Sequence, residues 1–245
     1  MDKAVVTNKL TKKFGAFVAT NEITLAVEKG EIFGFLGANG AGKTTAIRML
    51  CGLLKPTSGE ARVAGFDVYK ESEKIKQRIG YMSQKFSLYE DLTVRENIRF
   101  YGGIYDLRLT DIQRKTEQIL QTLSLQSVAD TLVVSLPLGW KQKLSFAVAM
   151  LHDPDIVFLD EPTGGVDPIT RRQFWEMIYE AADGGTTIFV TTHYMDEAEY
   201  CNRVSIMVDG RIQALDTPSG LKKTYGVDSM DGVFQILARG TSMKG

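Results

Sequence analysis

Residues 37–45 read Gly-Ala-Asn-Gly-Ala-Gly-Lys-Thr-Thr and contain the complete pattern G-x-x-x-x-G-K-T. The apolar stretch 31–36 before this loop predicts a buried strand, and residues 46–50 after it favour a helix. Such a turn binds phosphate, because backbone N–H groups and the positive end of the helix both face the anion. Lys43 is expected to contact the β- and γ-phosphates of a nucleotide, and the Thr44 hydroxyl to bind Mg²⁺. The predicted phosphate-binding residues are Gly37, Ala38, Asn39, Gly40, Ala41, Gly42, Lys43, Thr44 and Thr45.

Size and charge narrow the classes of protein to which this chain can belong. Its 245 residues can bury a sizeable core as one domain, or as one domain with a subdomain. A net charge of −1 argues against a broad nucleic-acid surface, so no nucleic-acid partner is expected. Cys51 and Cys201 lie far apart in the sequence, which predicts reduced thiols in a cytoplasmic protein. No apolar run approaches about 18 residues and no signal peptide is visible, so neither a membrane span nor secretion is expected.

The order of the predicted elements indicates an α/β protein. Short strands are predicted at residues 4–7, 23–27, 61–68, 79–82, 156–159 and 187–191, with a terminal hairpin at 204–214. A helix with Phe174, Trp175 and Ile178 on its inner face separates the strands at 156–159 and 187–191. This strand–helix–strand order implies a right-handed parallel crossover.

The middle of the chain is predicted to be helical. Residues 71–78, 94–105 and 112–123 favour helices, the last with Thr110-Asp111 as its N-cap. The predicted organisation is a core with a β-subdomain at residues 1–84 and 146–220, an inserted helical subdomain at 85–145, and a tail at 221–245. The sequence after Pro218 supports no prediction of structure, and His152 is expected to be a surface or loop residue.

A second motif ends the predicted strand at 156–159, where two acids, Asp160 and Glu161, follow four apolar residues. A buried strand can direct a carboxylate toward a metal at the carboxyl edge of the sheet, where α/β proteins bind ligands. We therefore expect Asp160 to bind Mg²⁺, directly or through water, and Glu161 to act as general base for an attacking water.

With both motifs present, the chain resembles the nucleotide-binding subunits of ATP-binding-cassette (ABC) transporters over about residues 5–221. The resemblance implies a P-loop NTPase core with a parallel sheet, an N-terminal antiparallel β-subdomain and an inserted α-helical subdomain. It also implies ATP and Mg²⁺ as cofactors, and ATP hydrolysis coupled to transport as the activity.

Three single residues gain roles through this resemblance. Phe14 resembles the aromatic residue that stacks on adenine, although ordinary packing is the alternative because Phe17 lies close by in the sequence. Gln84 resembles the Q-loop glutamine, whose amide oxygen binds Mg²⁺ while the loop senses the membrane partner, and residues 86–97 continue the family pattern. His193 resembles the switch histidine, which hydrogen-bonds the γ-phosphate.

Two further segments are implied to act on the nucleotide of a second cassette. Residues 164–168 resemble the D-loop, in which Asp167 crosses to the second subunit; the alternative is a glycine-rich turn before an Asp-Pro helix start. The family signature Leu-Ser-Gly-Gly-Gln is replaced by Leu136-Pro137-Leu138-Gly139-Trp140, so the serine hydroxyl and one glycine are missing. The resemblance still places Pro137, Leu138, Gly139 and Trp140 against the partner's ATP, and we expect a weaker ATP-driven dimer.

The branch of the family is indicated by residues 52–59 and 192–199, which are similar to cassettes that serve ABC-2-type exporters. The implied partners are integral membrane permease subunits of that type and a second cassette, identical or sister, at the cytoplasmic face of the inner membrane. One alternative is a soluble ABC ATPase without transport, whose tandem cassettes, coiled coils or zinc cysteine pairs this sequence lacks. Another is a P-loop kinase, which would not need Gln84, Gly139, Asp167 and His193.

Overall fold

Ten strands and eight α-helices make up the part of the chain that the computed structural model describes, residues 2–84 and 88–242. The strands are β1 (Lys3–Phe14), β2 (Phe17–Glu28), β3 (Ile32–Leu36), β4 (Ser58–Val63), β5 (Phe66–Asp67), β6 (Ile79–Met82), β7 (Ile156–Asp160), β8 (Thr187–Thr192), β9 (Arg203–Val208) and β10 (Arg211–Asp216). The α-helices are α1 (Lys43–Leu50), α2 (Ser72–Lys76), α3 (Val94–Ile104), α4 (Leu109–Thr122), α5 (Leu138–Ala149), α6 (Pro168–Asp183), α7 (Pro218–Tyr225) and α8 (Met230–Ser242). Phe86 and Ser87, which belong to the predicted segment after Gln84, lie outside the described residues.

The larger sheet has the strand order β10-β9-β3-β8-β7-β6. All of its neighbouring pairs are parallel except β9 and β10, which form the predicted hairpin. The carboxyl ends of β3, β7 and β8 therefore meet at one edge of the sheet, where ligands bind in α/β proteins. This topology brings together the loop after β3, the two acids at the end of β7 and His193 after β8, and it confirms the predicted parallel core.

The smaller sheet is antiparallel and has the order β2-β1-β4-β5. β1 and β2 are far longer than the predicted strands and join through a turn at Gly15, whose φ of 59° favours glycine. The single strand predicted over residues 61–68 is wrong, because Ala64 and Gly65 both take positive φ and turn the chain between β4 and β5.

Three apolar clusters form the core. The first lies between the smaller sheet, α1 and one face of the larger sheet, and the second lies on the opposite face against α6. The third lies within the helical region formed by α3, α4 and α5. The predicted inner face of α6 is confirmed, since Phe174, Trp175 and Ile178 are all buried.

The helical region begins with a capping box at α3, in which the side chains of Thr93 and Glu96 satisfy each other's backbone N–H groups. α4 begins at Leu109, so the predicted Thr110-Asp111 cap is wrong. Asp111 instead lies in the first turn, where a carboxylate is favoured by the helix dipole, and it pairs with Arg108 at 2.9 Å.

The segment after Pro218, for which the sequence supported no prediction, forms α7 and α8. Thr217 caps α7, and Gly226 with φ 66° ends it. Leu221 from α7 and Val233 from α8 are buried in the second apolar cluster, so both helices close one face of the larger sheet.

His152 lies in the turn between α5 and β7, which confirms the predicted loop position, and it is half-buried there. Its ring stacks on Tyr105 with a centroid distance of 3.7 Å, and Nε2 lies 3.0 Å from the Ile79 carbonyl oxygen. Burial lowers the pKa of His152. The residue thus connects the helical region to β6.

Both cysteines are free and buried. Burial raises the pKa of the Cys51 and Cys201 thiols well above their usual range, so neither forms a thiolate at neutral pH. Within residues 2–84 and 88–242, no helix combines the length and the apolar character that crossing a membrane requires.

Candidate active site

The loop between β3 and α1 is built from glycines that the neighbouring backbone requires. A Cβ on Gly42, whose φ is 104°, would lie 2.3 Å from the Ala19 carbonyl oxygen, and one on Gly37 would lie 2.5 Å from that of Met207. The side chain of Lys43 folds back into this loop, where Nζ donates to the carbonyl oxygens of Gly37 at 2.8 Å and Ala38 at 3.2 Å. The loop and its lysine therefore form the predicted cradle at the N-terminus of α1.

Glu161 is the point at which the predicted catalytic residues converge. Its side chain is only 9 % exposed, and Oε1 lies 3.2 Å from Lys43 Nζ. Its other oxygen, Oε2, accepts a hydrogen bond from Gln84 Nε2 at 3.0 Å and lies 3.0 Å from His193 Nδ1. The structure thus brings three residues from three separate segments of the chain onto the carboxylate of Glu161.

The backbone of Glu161 adopts a conformation that is rare for a residue with a side chain. Its φ is 52°, and its N–H donates to both the carbonyl oxygen and the hydroxyl of Thr191, at 3.1 and 3.0 Å. Residues held in this region cost free energy and persist where neighbouring structure fixes them, often at functional sites. The end of β8 therefore fixes the direction of the Glu161 side chain.

Asp160 is 1 % exposed and suits a divalent cation. Oδ1 accepts from the Thr191 hydroxyl at 2.7 Å, whereas Oδ2 is buried without a hydrogen-bond partner among the described residues. Burial raises the pKa of Asp160, and the hydroxyls of Thr191 and Thr44 oppose this effect in part. The free carboxylate oxygen, the Thr44 hydroxyl and the amide oxygen of Gln84 are the hard oxygen donors that Mg²⁺ prefers.

A cavity of about 220 Å³ opens in front of the cradle, lined by glycine-loop residues together with Phe17, Gln84 and Glu161. Phe17 is 65 % exposed and pairs with Phe14 across the tip of the β1–β2 hairpin. Phe14 is 50 % exposed, does not line this cavity, and has Lys12 Nζ 5.1 Å from its ring centroid. The stacking role of Phe14 stays a prediction, and Phe17 is the aromatic residue that the described structure places at the cavity.

The four signature residues lie at the start of α5, and none of them lines the cavity in front of the cradle. Pro137 is the N-cap of α5 and provides no side-chain hydrogen bond to it. Leu138 and Trp140 are 46 % and 36 % exposed. Gly139 lies against α6, where an added Cβ would approach Thr170 Cγ2 to 2.6 Å. The exposed beginning of this helix leaves its backbone N–H groups without a side-chain cap.

Asp167 has a structural role in this chain. Its Oδ1 caps α6 by accepting from the N–H groups of Ile169 and Thr170, both at 3.0 Å, and Pro168 occupies the first helical position. Hydrogen bonds from Thr170 lower the pKa of Asp167. The contact of Asp167 with a second subunit stays a prediction.

Sequence reasoning missed the residues that hold these segments together. Gln142 Nε2 donates to the Gly164 carbonyl oxygen at 3.0 Å, and the Thr163 hydroxyl donates to buried Glu197 at 2.5 Å. Arg171 lies over the ring of Tyr194. No local pattern marks these side chains, because each contact joins elements that are far apart in the sequence.

Comparison with known proteins agrees with this geometry. The family model described as "ABC transporter" matches residues 20–164, which is more than half of the chain. The chain belongs to the ABC transporter family. This membership confirms the resemblance predicted from the motifs, and with it nucleotide binding by the cassette.

Relatives in the ABC transporter family come from bacteria, plants and animals. The chain is 50% identical over 221 residues to the probable multidrug ABC transporter ATP-binding protein YbhF of Escherichia coli, covering 90% of this chain and 38% of that protein. It is 42% identical over 212 residues to ABC transporter A family member 5 of Arabidopsis thaliana, covering 85% of this chain and 22% of that protein. It is 38% identical over 230 residues to the phospholipid-transporting ATPase ABCA3 of Rattus norvegicus, covering 92% of this chain and 14% of that protein. The chain thus spans less than two fifths of the length of these relatives.

Solved structures of ABC cassettes have the same fold. An ATP-binding subunit of an ABC transporter matches with a TM-score of 0.86 and 27% identity, covering 96% of this chain and 99% of that one. The cbiO1 protein of Clostridium perfringens, described as part of the ABC transporter complex cbiONQ, matches with a TM-score of 0.82 and 25% identity, covering 92% of each chain. The predicted fold of an ABC ATPase cassette is confirmed.

Proposed function

We propose that this chain hydrolyses ATP to power a membrane exporter of drugs or other small molecules. The observation that carries the proposal is the convergence of Lys43, Gln84 and His193 on Glu161 beside the glycine loop. A carboxylate within hydrogen-bond reach of the phosphate cradle is the arrangement that general-base catalysis by water activation requires. Relatives named as multidrug and phospholipid transporters support the proposal of export. The proposed class of substrate is inferred from the names of these relatives.

The contacts of Glu161 indicate the order in which Lys43, Glu161 and His193 would act during hydrolysis. Lys43 pairs with Glu161 at 3.2 Å, and the γ-phosphate of ATP would compete for the same ammonium group. Once Lys43 has turned to phosphate, Glu161 is free to accept a proton from water, and His193 can donate to the γ-phosphate. Mg²⁺, held by Asp160, Thr44 and Gln84, would neutralise charge on the phosphates.

A second cassette is the proposed first partner. Pro137, Gly139 and Trp140 line neither the cavity in front of the glycine loop nor the adjoining one beside Glu161 and His193, which Leu138 does line. The exposed start of α5 can therefore offer its N–H groups to another anion. Two cassettes arranged head to tail would each complete the pocket of the other, with Asp167 near the contact.

Replacing Pro137 by serine is expected to strengthen ATP-dependent dimerisation. The added hydroxyl would donate to the partner's γ-phosphate, and a hydrogen bond to a charged group contributes roughly 1.5–3 kcal/mol, or about tenfold or more in the dimerisation constant. Sedimentation velocity with ATP in a Glu161→Gln background measures the constant. Pro137→Ala removes the ring without adding a hydroxyl and is the matched control; equal dimerisation of the two variants would contradict the prediction.

An integral membrane permease of ABC-2 type is the proposed second partner, which would place the chain at the cytoplasmic face of the membrane. A docking patch formed by Tyr89, Phe100 and Ile104 is 45 %, 41 % and 58 % exposed. The rings of Tyr89 and Phe100 pack edge to face at 4.7 Å, so the patch is contiguous. Exposed apolar patches of this kind mark protein interaction sites, and this one follows the segment after Gln84. The chemistry at Gln84 and the permease would thus be connected over a short distance.

Introducing negative charge into the docking patch is expected to weaken binding to the permease without changing ATP hydrolysis. Phe100→Asp with Ile104→Asp should reduce co-purification with a co-expressed ABC-2-type permease about tenfold, because a carboxylate in an apolar contact is poorly solvated. ATP hydrolysis by the isolated chain should stay unchanged in a phosphate-release assay. Ile236→Asp is the matched control, because Ile236 is an exposed apolar residue on α8. Undiminished co-purification of the patch variant would contradict the docking site, and absent hydrolysis by the wild-type chain would contradict the ATPase.

A further inference from the structure

An ion pair between partly buried Arg171 and buried Glu197 lies next to the active site, and neither residue has a role in the proposed chemistry above. Glu197 belongs to a short 3₁₀ helix, Met195–Tyr200, and is 0 % exposed. Its Oε1 accepts from the Thr163 hydroxyl at 2.5 Å and lies 3.6 Å from Arg171 Nε, while Oε2 has no hydrogen-bond partner among the described residues. A buried carboxylate needs a cation nearby, and Arg171 is that cation. Arg171 Nη1 also lies 3.6 Å from Oδ2 of Asp196, whose side chain is 69 % exposed.

Arg171 is also connected to the Glu161 carboxylate by the rings of Tyr194 and His193, which lie between them. Its guanidinium carbon lies 4.2 Å from the ring centroid of Tyr194, and the Tyr194 ring lies 4.2 Å from that of His193. His193 Nδ1 is in turn 3.0 Å from Glu161 Oε2. A planar guanidinium stacked on an aromatic face fixes that ring in both position and tilt, which a flexible ammonium group does not. A continuous series of contacts therefore leads from Arg171 on α6 to Glu161, the proposed general base.

Thr163 and its neighbour connect the same ion pair to the signature helix. Thr163 is 1 % exposed, and its neighbour Gly164 accepts a hydrogen bond from Gln142 on α5. A displacement of α5 by a partner cassette would thus reach Thr163, and through Glu197 and Arg171 it would reach the ring beside His193.

We propose that Arg171 and Glu197 are positioning residues that hold His193, through the ring of Tyr194, in the orientation required for hydrolysis. The inference rests on the proposed ATPase function, and it goes beyond that function by assigning to it the buried Glu197 and the partly buried Arg171. Neither side chain touches Glu161 directly, so each acts through the residues between. The same contacts give the D-loop and the signature helix a route to the switch histidine of their own subunit.

The first test is Arg171→Lys, which keeps the charge beside Glu197 but removes the planar group over Tyr194. We expect kcat for ATP hydrolysis to fall about tenfold, the size expected when a reacting group is misplaced, while KM for ATP changes less than about twofold. Arg172→Lys is the matched control, because the neighbouring Arg172 side chain is 85 % exposed on the same helix. A wild-type kcat in Arg171→Lys would overturn the proposal, as would an equal fall in Arg172→Lys.

Tyr194 supplies a second test that does not depend on how well the Arg171 variant folds. Tyr194→Leu should lower kcat to a similar extent, and Tyr194→Phe, which keeps the ring under the guanidinium, should recover most of it. If Arg171 acts through this ring, the double variant Arg171→Lys, Tyr194→Leu loses no more than the larger single variant. Multiplied losses, or failure of Tyr194→Phe to recover kcat, would overturn the proposal.

Glu161→Gln, assayed in parallel, distinguishes this inference from the function on which it rests. If Glu161→Gln abolishes hydrolysis while Arg171→Lys and Tyr194→Leu hydrolyse at the wild-type rate, only the positioning role fails. If Glu161→Gln hydrolyses at the wild-type rate, the proposed site itself fails, whatever the other variants do.

Discussion

Replacement of Glu161 by glutamine is expected to lower kcat for ATP hydrolysis about 10³-fold, within the range that a general base contributes. Glutamine has the same shape and can keep contacts with Gln84 and His193, but its amide cannot accept the proton of the attacking water. ATP should still bind, because the substitution also removes the carboxylate that competes with phosphate for Lys43. A phosphate-release assay measures turnover, and titration with a fluorescent ATP analogue measures binding.

Glu176→Gln is the matched control for this substitution. Glu176 is 60 % exposed on α6 and its oxygen lies 3.6 Å from Arg172 Nε, so its loss should leave turnover and binding unchanged. Full activity of Glu161→Gln would show that another group activates the water. Loss of ATP binding in Glu161→Gln would show that the carboxylate supports the pocket rather than the chemistry.

Replacement of Lys43 by alanine is expected to weaken ATP binding about 100-fold or more. The side chain of Lys43 is 4 % exposed and its ammonium group is directed into the glycine loop. Hydrogen bonds from a charged donor contribute roughly 1.5–3 kcal/mol each. Loss of contacts to two phosphates therefore corresponds to a factor of this size in the dissociation constant. Calorimetric titration with ATP measures the effect, and Lys76→Ala, a change at the surface of α2, is the control.

A second measurement separates binding from stability in the Lys43 variant. Lys43→Ala leaves Glu161 nearly buried without its cation, which is expected to lower the unfolding temperature. The double variant Lys43→Ala, Glu161→Gln removes both charges and should recover that temperature without recovering ATP affinity. Recovery of affinity in the double variant would contradict a direct role of Lys43 in phosphate binding.

The sequence predicts the parts of this fold that local chemistry determines. The glycine loop, the strand before it and the acids after β7 all follow from short patterns whose meaning does not depend on distant residues. β7 and β8 were predicted nearly to the residue, because continuous apolar runs bounded by polar residues are typical of buried parallel strands. Family membership followed from the order of these motifs.

The predictions that were wrong concern the ends of elements, where short patterns allow several boundaries. α4 begins at Leu109 and so includes Thr110 and Asp111, and the break between β4 and β5 lies at positive φ at Ala64, a residue that rarely adopts it. The two C-terminal helices could have been predicted in part, since Thr217 followed by Pro218 is a helix-start signal.

In the candidate site, too, the residues that belong to a motif were predicted, and the contacts between distant segments were not. Glu161 could be assigned as a base from its motif, but its contact with Lys43 joins two segments more than a hundred residues apart. The roles of Arg171 and Glu197 depend on packing between α6, Thr163 and the 3₁₀ helix. Glu197 lies in the segment 192–199 that indicated the branch of the family, but that pattern does not pair it with Arg171.

The burial of both sulfhydryl groups has a practical consequence for site-specific labelling of this chain. Cys51 and Cys201 are shielded within the core and resist ionisation, so maleimide or spin-label reagents should leave them untouched while the fold is intact. A reporter attached at a single engineered surface cysteine would then give a clean signal in the otherwise unmodified chain. Distances between two such reporters could follow the approach and separation of paired subunits during turnover.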